Sequence, residues 1–378
     1  MLRERRRITN LVMASAAIAL GFIAQGYFTR WSLGDGLILY AMAAALFIYA
    51  FRQAVEGDRE AFRPLLSGED KSALVPGEWG LFLLPIPLVF CLAALRYFGQ
   101  NVHLPRAWIL YLLSIPCFLI VVRVMEGRGR FPTTDSRLTT LDGALLLGIT
   151  ALAAFMRFYR FDSIPFGTWY DEADNGLQVL KILHDPTYRP LYVPSTNLPA
   201  HFLYLIALSF ELFGVSTLSI RAVTAIMGVA TAVAAYFLGR ELLGRRLAPA
   251  LAFLLAVSRW DVNFSRIGLH GVSTPLFEIA ALYFLLKGLR SRRPLDFAWG
   301  GVATGLGLCF YAPYRLFPIV MALLLLRQMA CQRGFLRRHY LGLLFFALGV
   351  LLAFAPVAQF ALQKPDIFWA RTHKVSVF

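Results

Sequence analysis

Charge is scarce in this chain of 378 residues, and what charge there is leans to one sign. Asp, Glu, Lys and Arg make up only 16% of the residues, whereas 58% are hydrophobic. Soluble globular domains carry about 25% charged residues, so this composition excludes an ordinary soluble domain. A net charge of +15 is expected of a membrane protein, because anionic lipids attract Lys and Arg and because these residues are enriched in cytoplasmic loops. We therefore predict a lipid bilayer as a partner, and no nucleic acid.

Cysteine is also rare, and no nucleotide-binding or hydrolase motif is present. The four cysteines show no paired spacing, which argues against a disulfide framework or a cysteine metal site. We interpret them as packing residues. The sequence contains no P-loop, no GxGxxG, no GxSxG and no His/Cys cluster. No cofactor and no metal ligands are predicted, and no residue pattern supports a divalent cation.

The chain instead contains recurrent apolar runs, many of them roughly 17–22 residues long, separated by short polar stretches. This pattern predicts an all-α polytopic membrane protein with about 11 transmembrane helices. The predicted spans are residues 9–28, 33–51, 79–96, 106–123, 141–157, 217–237, 247–259, 272–289, 298–311, 316–326 and 340–361.

The basic residues predict how these spans are oriented. They cluster at residues 3–7, 52–71, 123–137, 240–246, 287–293 and 327–338. If these segments are cytoplasmic, the N-terminus is cytoplasmic and the loop after span 141–157 faces outward. Spans 141–157 and 217–237 already supply the even number of crossings required between two cytoplasmic clusters. The apolar stretch 199–214 is therefore predicted to be an interfacial or re-entrant helix within a large outer loop, about residues 158–216.

This outer loop carries an acidic group beside the membrane. Three carboxylates lie within four residues: Asp171, Glu172 and Asp174. Residues 172–184 predict a short amphipathic helix on the membrane, with Asp174 or Asn175 as its cap. A carboxylate here can accept a proton from an attacking hydroxyl or amine, so Asp171 and Glu172 are the candidate catalytic residues. An ordinary solvated loop is the alternative interpretation.

Basic side chains are predicted at the same membrane face. They are Arg221, Arg266, Arg315 and His270. Arginine binds phosphate through paired, charge-assisted hydrogen bonds, so this group predicts a site for a donor phosphate. The alternatives are snorkelling of Arg221 and Arg315 to lipid head groups, and a structural hydrogen bond for His270.

Short motifs along the second part of the chain carry a family resemblance. They lie at residues 170–176, 212–215, 219–223, 239–244, 264–268, 305–308, 314–316, 371–372 and 375–378. In order and spacing, the chain resembles the GT-C integral-membrane glycosyltransferases. The most similar branch is the bacterial relatives of polyprenyl/dolichyl-phosphate-mannose protein mannosyltransferases, together with the aminoarabinose transferases.

The resemblance implies an inverting, hexosyl- or mannosyl-type transferase that takes a sugar from a polyprenyl-phosphate donor lipid. The acceptor would be a protein or a glycolipid. The first acid of the pair, Asp171, would be the general base, and Arg221 matches the arginine that follows the re-entrant segment. Some members have an acid before the proline of the next outer loop, where this chain has Thr274. Some also have a lysine where this chain has Leu198, so those two roles lack their residues here.

The resemblance also implies a domain organisation and a location. We expect residues 1–130 to form an N-terminal four-helix membrane unit, and residues 131–378 to form a GT-C-like catalytic core that is truncated at its C-terminus. The expected location is a bacterial inner membrane, with the active site on the periplasmic or extracellular face. Two rival functions are a lipid-linked-sugar transporter or flippase, and an inactive partner subunit. Transporters place ionisable groups near the bilayer midplane, whereas these acids lie in an outer loop, which favours the enzyme.

Overall fold

A computed structural model describes residues 82–127 and 138–375, with separate positions between residues 12 and 45. The chain divides into two compact units, Met1–Asp70 and Lys71–Phe378. In the first unit, the described positions are helical. The predicted spans 9–28 and 33–51 fall largely outside the described residues. All that follows concerns the second unit.

The described part of the second unit is built from helices and one small hairpin. The helices are α1 (Pro85–Gln100), α2 (Leu104–Glu126), α3 (Thr140–Phe158), α4 (Tyr170–His184), α5 (His201–Phe213), α6 (Thr217–Leu242), α7 (Ala248–Val257), α8 (Arg259–Ser265), α9 (Ser273–Ser291), α10 (Pro294–Leu308), α11 (Phe317–Cys331), α12 (Phe335–Gln363) and α13 (Pro365–Val375). Strands β1 (Tyr192–Val193) and β2 (Leu198–Pro199) pair antiparallel, with Tyr192 opposite Pro199. The predicted all-α fold class is confirmed.

Within the described residues, six helical segments are long and apolar enough to cross a membrane. They are Leu104–Glu126, Thr140–Phe158, Thr217–Leu242, His270–Ser291, Ala312–Cys331 and Phe335–Gln363. Helices α1, α7 and α10 are shorter, with 16, 10 and 15 residues. At about 1.5 Å per residue they fall short of the ~30 Å hydrocarbon core. The count of eleven spans therefore stays a prediction.

Helix α5 occupies the stretch predicted not to span. Its 13 residues measure about 20 Å, which is less than the hydrocarbon thickness. The helix begins next to α2, where His201 Nε2 lies 3.2 Å from the Tyr111 hydroxyl. It ends at Gly214, whose φ of +82° turns the chain into α6. These features fit the predicted re-entrant segment, whose place in a membrane stays a prediction.

Ion pairs join the basic segments at one end of the helical bundle. The three pairs are Arg293 with Glu126 at 2.9 Å, Arg245 with Asp142 at 2.6 Å, and Arg290 with Glu241 at 2.7 Å. They link the C-terminus of α2, the N-terminus of α3, the α6–α7 connection and the α9–α10 connection. Basic segments that the charge pattern assigns to one membrane face thus lie at the same end.

Helices α10 and α12 pack against each other through small residues. A Cβ added to Gly301 would overlap the Phe346 carbonyl oxygen, and one on Gly349 would lie 2.8 Å from the Ala298 oxygen. Close backbone approach at small residues is how helices associate in membranes. Helices α1 and α2 share a hydrophobic core with α10 and α12. The described half of the predicted N-terminal unit therefore packs directly on helices of the predicted catalytic core.

We predict that Gly301→Ala lowers the melting temperature in detergent, because the added methyl group meets backbone and forces α10 and α12 apart. Overpacking of this kind costs about 1–3 kcal/mol. Gly148→Ala on α3 is the matched control, since a Cβ there meets no atom within 4 Å. Equal melting of the two variants would contradict the packing described here.

Candidate functional site

The acidic stretch forms the first turns of α4, which begins at Tyr170. The Trp169 amide donates to Glu172 Oε2 over 2.9 Å, so Glu172 caps the helix from its first turn. The predicted cap, Asp174 or Asn175, is wrong because both residues lie within the helix. Asp174 instead accepts a hydrogen bond from Ser195 at 3.0 Å, and Asn175 donates to the Gly268 carbonyl at 3.0 Å.

Glu172 and Arg221 form a buried ion pair between α4 and α6. Their side chains are 0% and 3% exposed, and Arg221 Nε and Nη2 reach the two carboxylate oxygens at 2.8 and 2.9 Å. The Gly268 amide donates to Oε1 at 2.8 Å. With the Trp169 amide, four donors surround a carboxylate that has about four lone-pair sites. This geometry favours a structural role for Glu172 over the predicted catalytic one.

Arg221 likewise donates several hydrogen bonds within the protein. In addition to Glu172, its guanidinium donates to the carbonyl oxygens of Pro165 and Gly167, in the loop that follows α3. The predicted donor-phosphate role would require it to leave these partners. The contacts instead make Arg221 the residue that ties this loop and α4 to the bundle.

The pKa of the Glu172 carboxyl reflects two opposed effects. Burial disfavours the charged form, but hydrogen bonds from Arg221 and from the amides of Trp169 and Gly268 outweigh burial. Together they hold the pKa below its ordinary value. Glu172 is therefore an anion at neutral pH, unsuited to exchanging a proton with a substrate.

Arg266 caps the end of α3. Its guanidinium, in a side chain buried to 7% exposure, donates to the Met156 carbonyl at 2.8 Å and the Tyr159 carbonyl at 2.6 Å. It also reaches the Ile164 carbonyl at 2.8 Å. A cation on the unpaired carbonyls of a helix C-terminus is stabilising. These contacts favour a structural role over the predicted phosphate contact.

The sequence does not reveal a second buried ion pair, between Arg157 of α3 and Asp261 of α8. Arg157 is 0% exposed and also donates to the Ala256 carbonyl at 3.1 Å. The sequence features that could have indicated this pair are an arginine at the end of an apolar span and an acid at the start of the next predicted outer loop. Long-range pairs of this kind cannot be read from spacing.

Arg315 and His270 belong to a different group of side chains, near α13. Arg315 donates to the Phe368 carbonyl at 3.1 Å, and its guanidinium lies 3.6 Å from the centre of the Phe368 ring. His270 is buried against Phe202, with ring centres 4.5 Å apart. Its Nε2 is buried and has no hydrogen-bond partner among the described residues. Unlike Arg221 and Arg266, these two predicted phosphate ligands lie against aromatic rings.

Asp171 differs from both of its acidic neighbours. Its side chain is exposed, and no described residue forms a hydrogen bond or ion pair with its carboxylate. Residues three and four positions apart share a helix face, so Asp171 lies one turn before Asp174 and Asn175 on the same face. Those two residues contact Ser195 and Gly268. Asp171 is therefore the exposed first residue of the helix face that contacts the hairpin and the loop at Gly268.

Among the described residues, no three His, Cys, Asp or Glu side chains gather as a metal-binding group. The site is thus an exposed carboxylate, a buried ion pair beneath it, and a basic and aromatic group beside it.

Fold and site together define a polytopic membrane protein with an acid and basic side chains at one end of its bundle. Residues 197–360 match the model of the dolichyl-phosphate-mannose-protein mannosyltransferase family. This confirms the resemblance drawn from the sequence and supports a GT-C-type glycosyltransferase that uses a lipid-linked sugar. Comparison with curated proteins and with solved structures gave no match. Asp171 and α4 precede the matched segment, and α13 follows it.

We predict that Glu172→Ala strongly destabilises the protein, because it leaves the Arg221 charge buried without a counter-charge. Breaking a buried ion pair typically costs about 3–5 kcal/mol. The double variant Glu172→Ala with Arg221→Ala should lose less than the sum of the single variants. Melting temperatures in detergent measure both effects. Strictly additive losses would mean that the two residues do not stabilise each other.

The lowered pKa of Glu172 predicts a dependence of stability on pH. Its stabilisation is fully present above the unfolded-state pKa of about 4.3 and is lost as pH falls through the lower folded-state value. The melting-temperature advantage of the wild type over Glu172→Gln should therefore be constant near neutral pH and shrink below about pH 4. An advantage that persists unchanged into strong acid would contradict this.

Proposed function

We propose that the chain is a glycosyltransferase that moves a sugar from a polyprenyl-phosphate donor to an acceptor at the outer membrane face. Asp171 is its general base. The observation that carries this proposal is that the three carboxylates of one acidic stretch have different surroundings. Glu172 and Asp174 have protein partners, whereas the Asp171 carboxylate is exposed and has none among the described residues. A base must be open to the group whose proton it takes.

The reaction would be a single displacement at the anomeric carbon. The Asp171 carboxylate accepts the proton of the acceptor hydroxyl or amine as the acceptor oxygen or nitrogen bonds to the anomeric carbon. The bond from that carbon to the phosphate oxygen breaks, and its electron pair leaves on the polyprenyl phosphate. Attack from the face opposite the leaving group inverts the configuration.

Charge develops on the leaving phosphate, so cationic or donor groups should lie on that side. Arg315 and His270 are our candidates for this contact, because both face the α13 side of the site. Arg221 and Arg266 have a structural role next to this site, because they hold the loop after α3 on the bundle. The family match favours a mannosyl-type sugar, and the acceptor would be a protein or a glycolipid. We place the reaction at the periplasmic or extracellular face of a bacterial membrane.

We predict that Asp171→Asn lowers sugar transfer by about 10²–10⁴-fold, the usual contribution of a general base. The readout is movement of labelled mannose from polyprenyl-phosphate mannose to the lipid and protein fractions of native membranes. The melting temperature should not change, because the side chain is exposed. Asp162→Asn, an exposed acid in the same loop, is the control and should retain activity. Undiminished transfer by Asp171→Asn would refute the proposal.

A further inference from the structure

The arginines at this end of the bundle differ in how fully their donors are occupied. Arg157 and Arg221 each face a carboxylate, and Arg266 donates to four backbone carbonyl oxygens. Arg371 on α13 has one hydrogen bond, from Nη1 to the Thr196 carbonyl oxygen at 3.0 Å. No carboxylate pairs with it among the side chains that the structure describes. Because a guanidinium has five N–H donors, most of those of Arg371 remain for a ligand.

The surroundings of Arg371 are those of an anion site. Its guanidinium lies 5.9 Å from the centre of the Tyr311 ring, and it is close enough to His270 to interact electrostatically. His270 is only 6% exposed, yet its Nε2 has no partner among the described residues. The Thr196 hydroxyl, next to the carbonyl that holds Arg371, is also buried, with no hydrogen-bond partner in the part of the chain that the structure describes. Buried polar atoms are normally hydrogen-bonded, so these two exceptions beside Arg371 offer polar atoms to a bound group.

A second arginine reaches the same group from the short segment just before α11. Arg315 interacts with the Tyr192 hydroxyl on the hairpin that also contains Thr196. Arg371 in turn influences Tyr192 electrostatically. Two guanidinium groups held near one hairpin concentrate positive charge there and favour a ligand of concentrated negative charge. Phosphate meets this requirement with several acceptor oxygens.

We propose that Arg371 is a further phosphate-binding residue, which acts with Arg315 and His270 to hold the phosphate of a polyprenyl-phosphate lipid between α13 and the hairpin. This inference rests on the proposed function for the identity of the lipid. The hairpin also contacts the helix that carries the proposed base. Ser195, adjacent to Thr196, contacts Asp174, one helical turn from Asp171. Two consecutive residues of the hairpin therefore connect the proposed phosphate site to the helix that carries the proposed base.

The test is binding of polyprenyl phosphate to the purified full chain in detergent, compared with binding of the uncharged polyprenol. Arg371→Ala should weaken binding of the phosphate by about tenfold to a hundredfold, the usual range for a hydrogen bond to a charged group. Binding of polyprenol should not change. Arg371→Lys should weaken phosphate binding less, because it keeps the charge. Lys364→Ala is the matched control, since it removes an exposed cation from the segment just before α13.

A structural role for Arg371 would give a different result. If α13 merely docks through Arg371, the Ala variant would bind polyprenol and polyprenyl phosphate equally poorly, and this outcome would overturn the inference. Unchanged phosphate binding in Arg371→Ala would do the same. If the Ala variant does not fold, the Lys and Gln variants provide the comparison, because both retain a hydrogen-bond donor for the Thr196 carbonyl.

Two competitors separate the possible sources of the phosphate. Inorganic phosphate and phosphatidylglycerol micelles should displace polyprenyl phosphate only weakly from the wild type. Displacement by phosphatidylglycerol at equal concentration would overturn the assignment to a polyprenyl lipid. Binding of polyprenyl phosphate that depends on Arg371, in a chain that transfers no sugar, would sustain the inference and refute the proposed function. Failure of the wild type to bind polyprenyl phosphate would refute the inference itself.

Discussion

The buried pair between Glu172 and Arg221 is the interaction on which the end of the helical bundle that carries Asp171 depends. It joins the first turn of α4 to the start of α6, and through backbone contacts it also holds the loop after α3 and the loop at Gly268. A charge so deeply buried is stable only while its partners stay in place. The pair therefore fixes both the position and the rotation of α4, and with them the direction in which Asp171 points.

Neighbouring residues have opposite roles here because a helix turns by about 100° per residue. Glu172 faces the bundle and is fully hydrogen-bonded, while Asp171 faces the open side. The arginines divide in a similar way. Those closest to α3 and α6 hold carboxylates or helix-end carbonyls, and those near α13 lie against aromatic rings. One end of the bundle thus combines buried, fully paired charges with a group of arginines near α13, which we propose as the ligand site.

The sequence predicts the all-α membrane class, the large outer loop and the short helix in its acidic stretch, since hydropathy and charge are local signals. It also predicts that the basic segments share one end, and the ion pairs from Arg293, Arg245 and Arg290 agree. It cannot predict that Arg221 pairs with Glu172, because nothing local links residues 49 positions apart. The cap at Asp174 is wrong for a related reason: capping depends on the residue at which the helix starts. In the sequence, Arg371 stands out only as part of the short motif at residues 371–372, and its proposed role rests on contacts between distant segments.

The hairpin of β1 and β2 is small, yet it touches both sides of the site. Ser195 at its turn holds α4 through Asp174, and the adjacent Thr196 holds α13 through Arg371. Helices α4 and α13 are thus connected by hydrogen bonds through two consecutive residues of this turn. Because the pair between Glu172 and Arg221 already holds α4 on the bundle, these two contacts of the turn help to set the gap between α4 and α13.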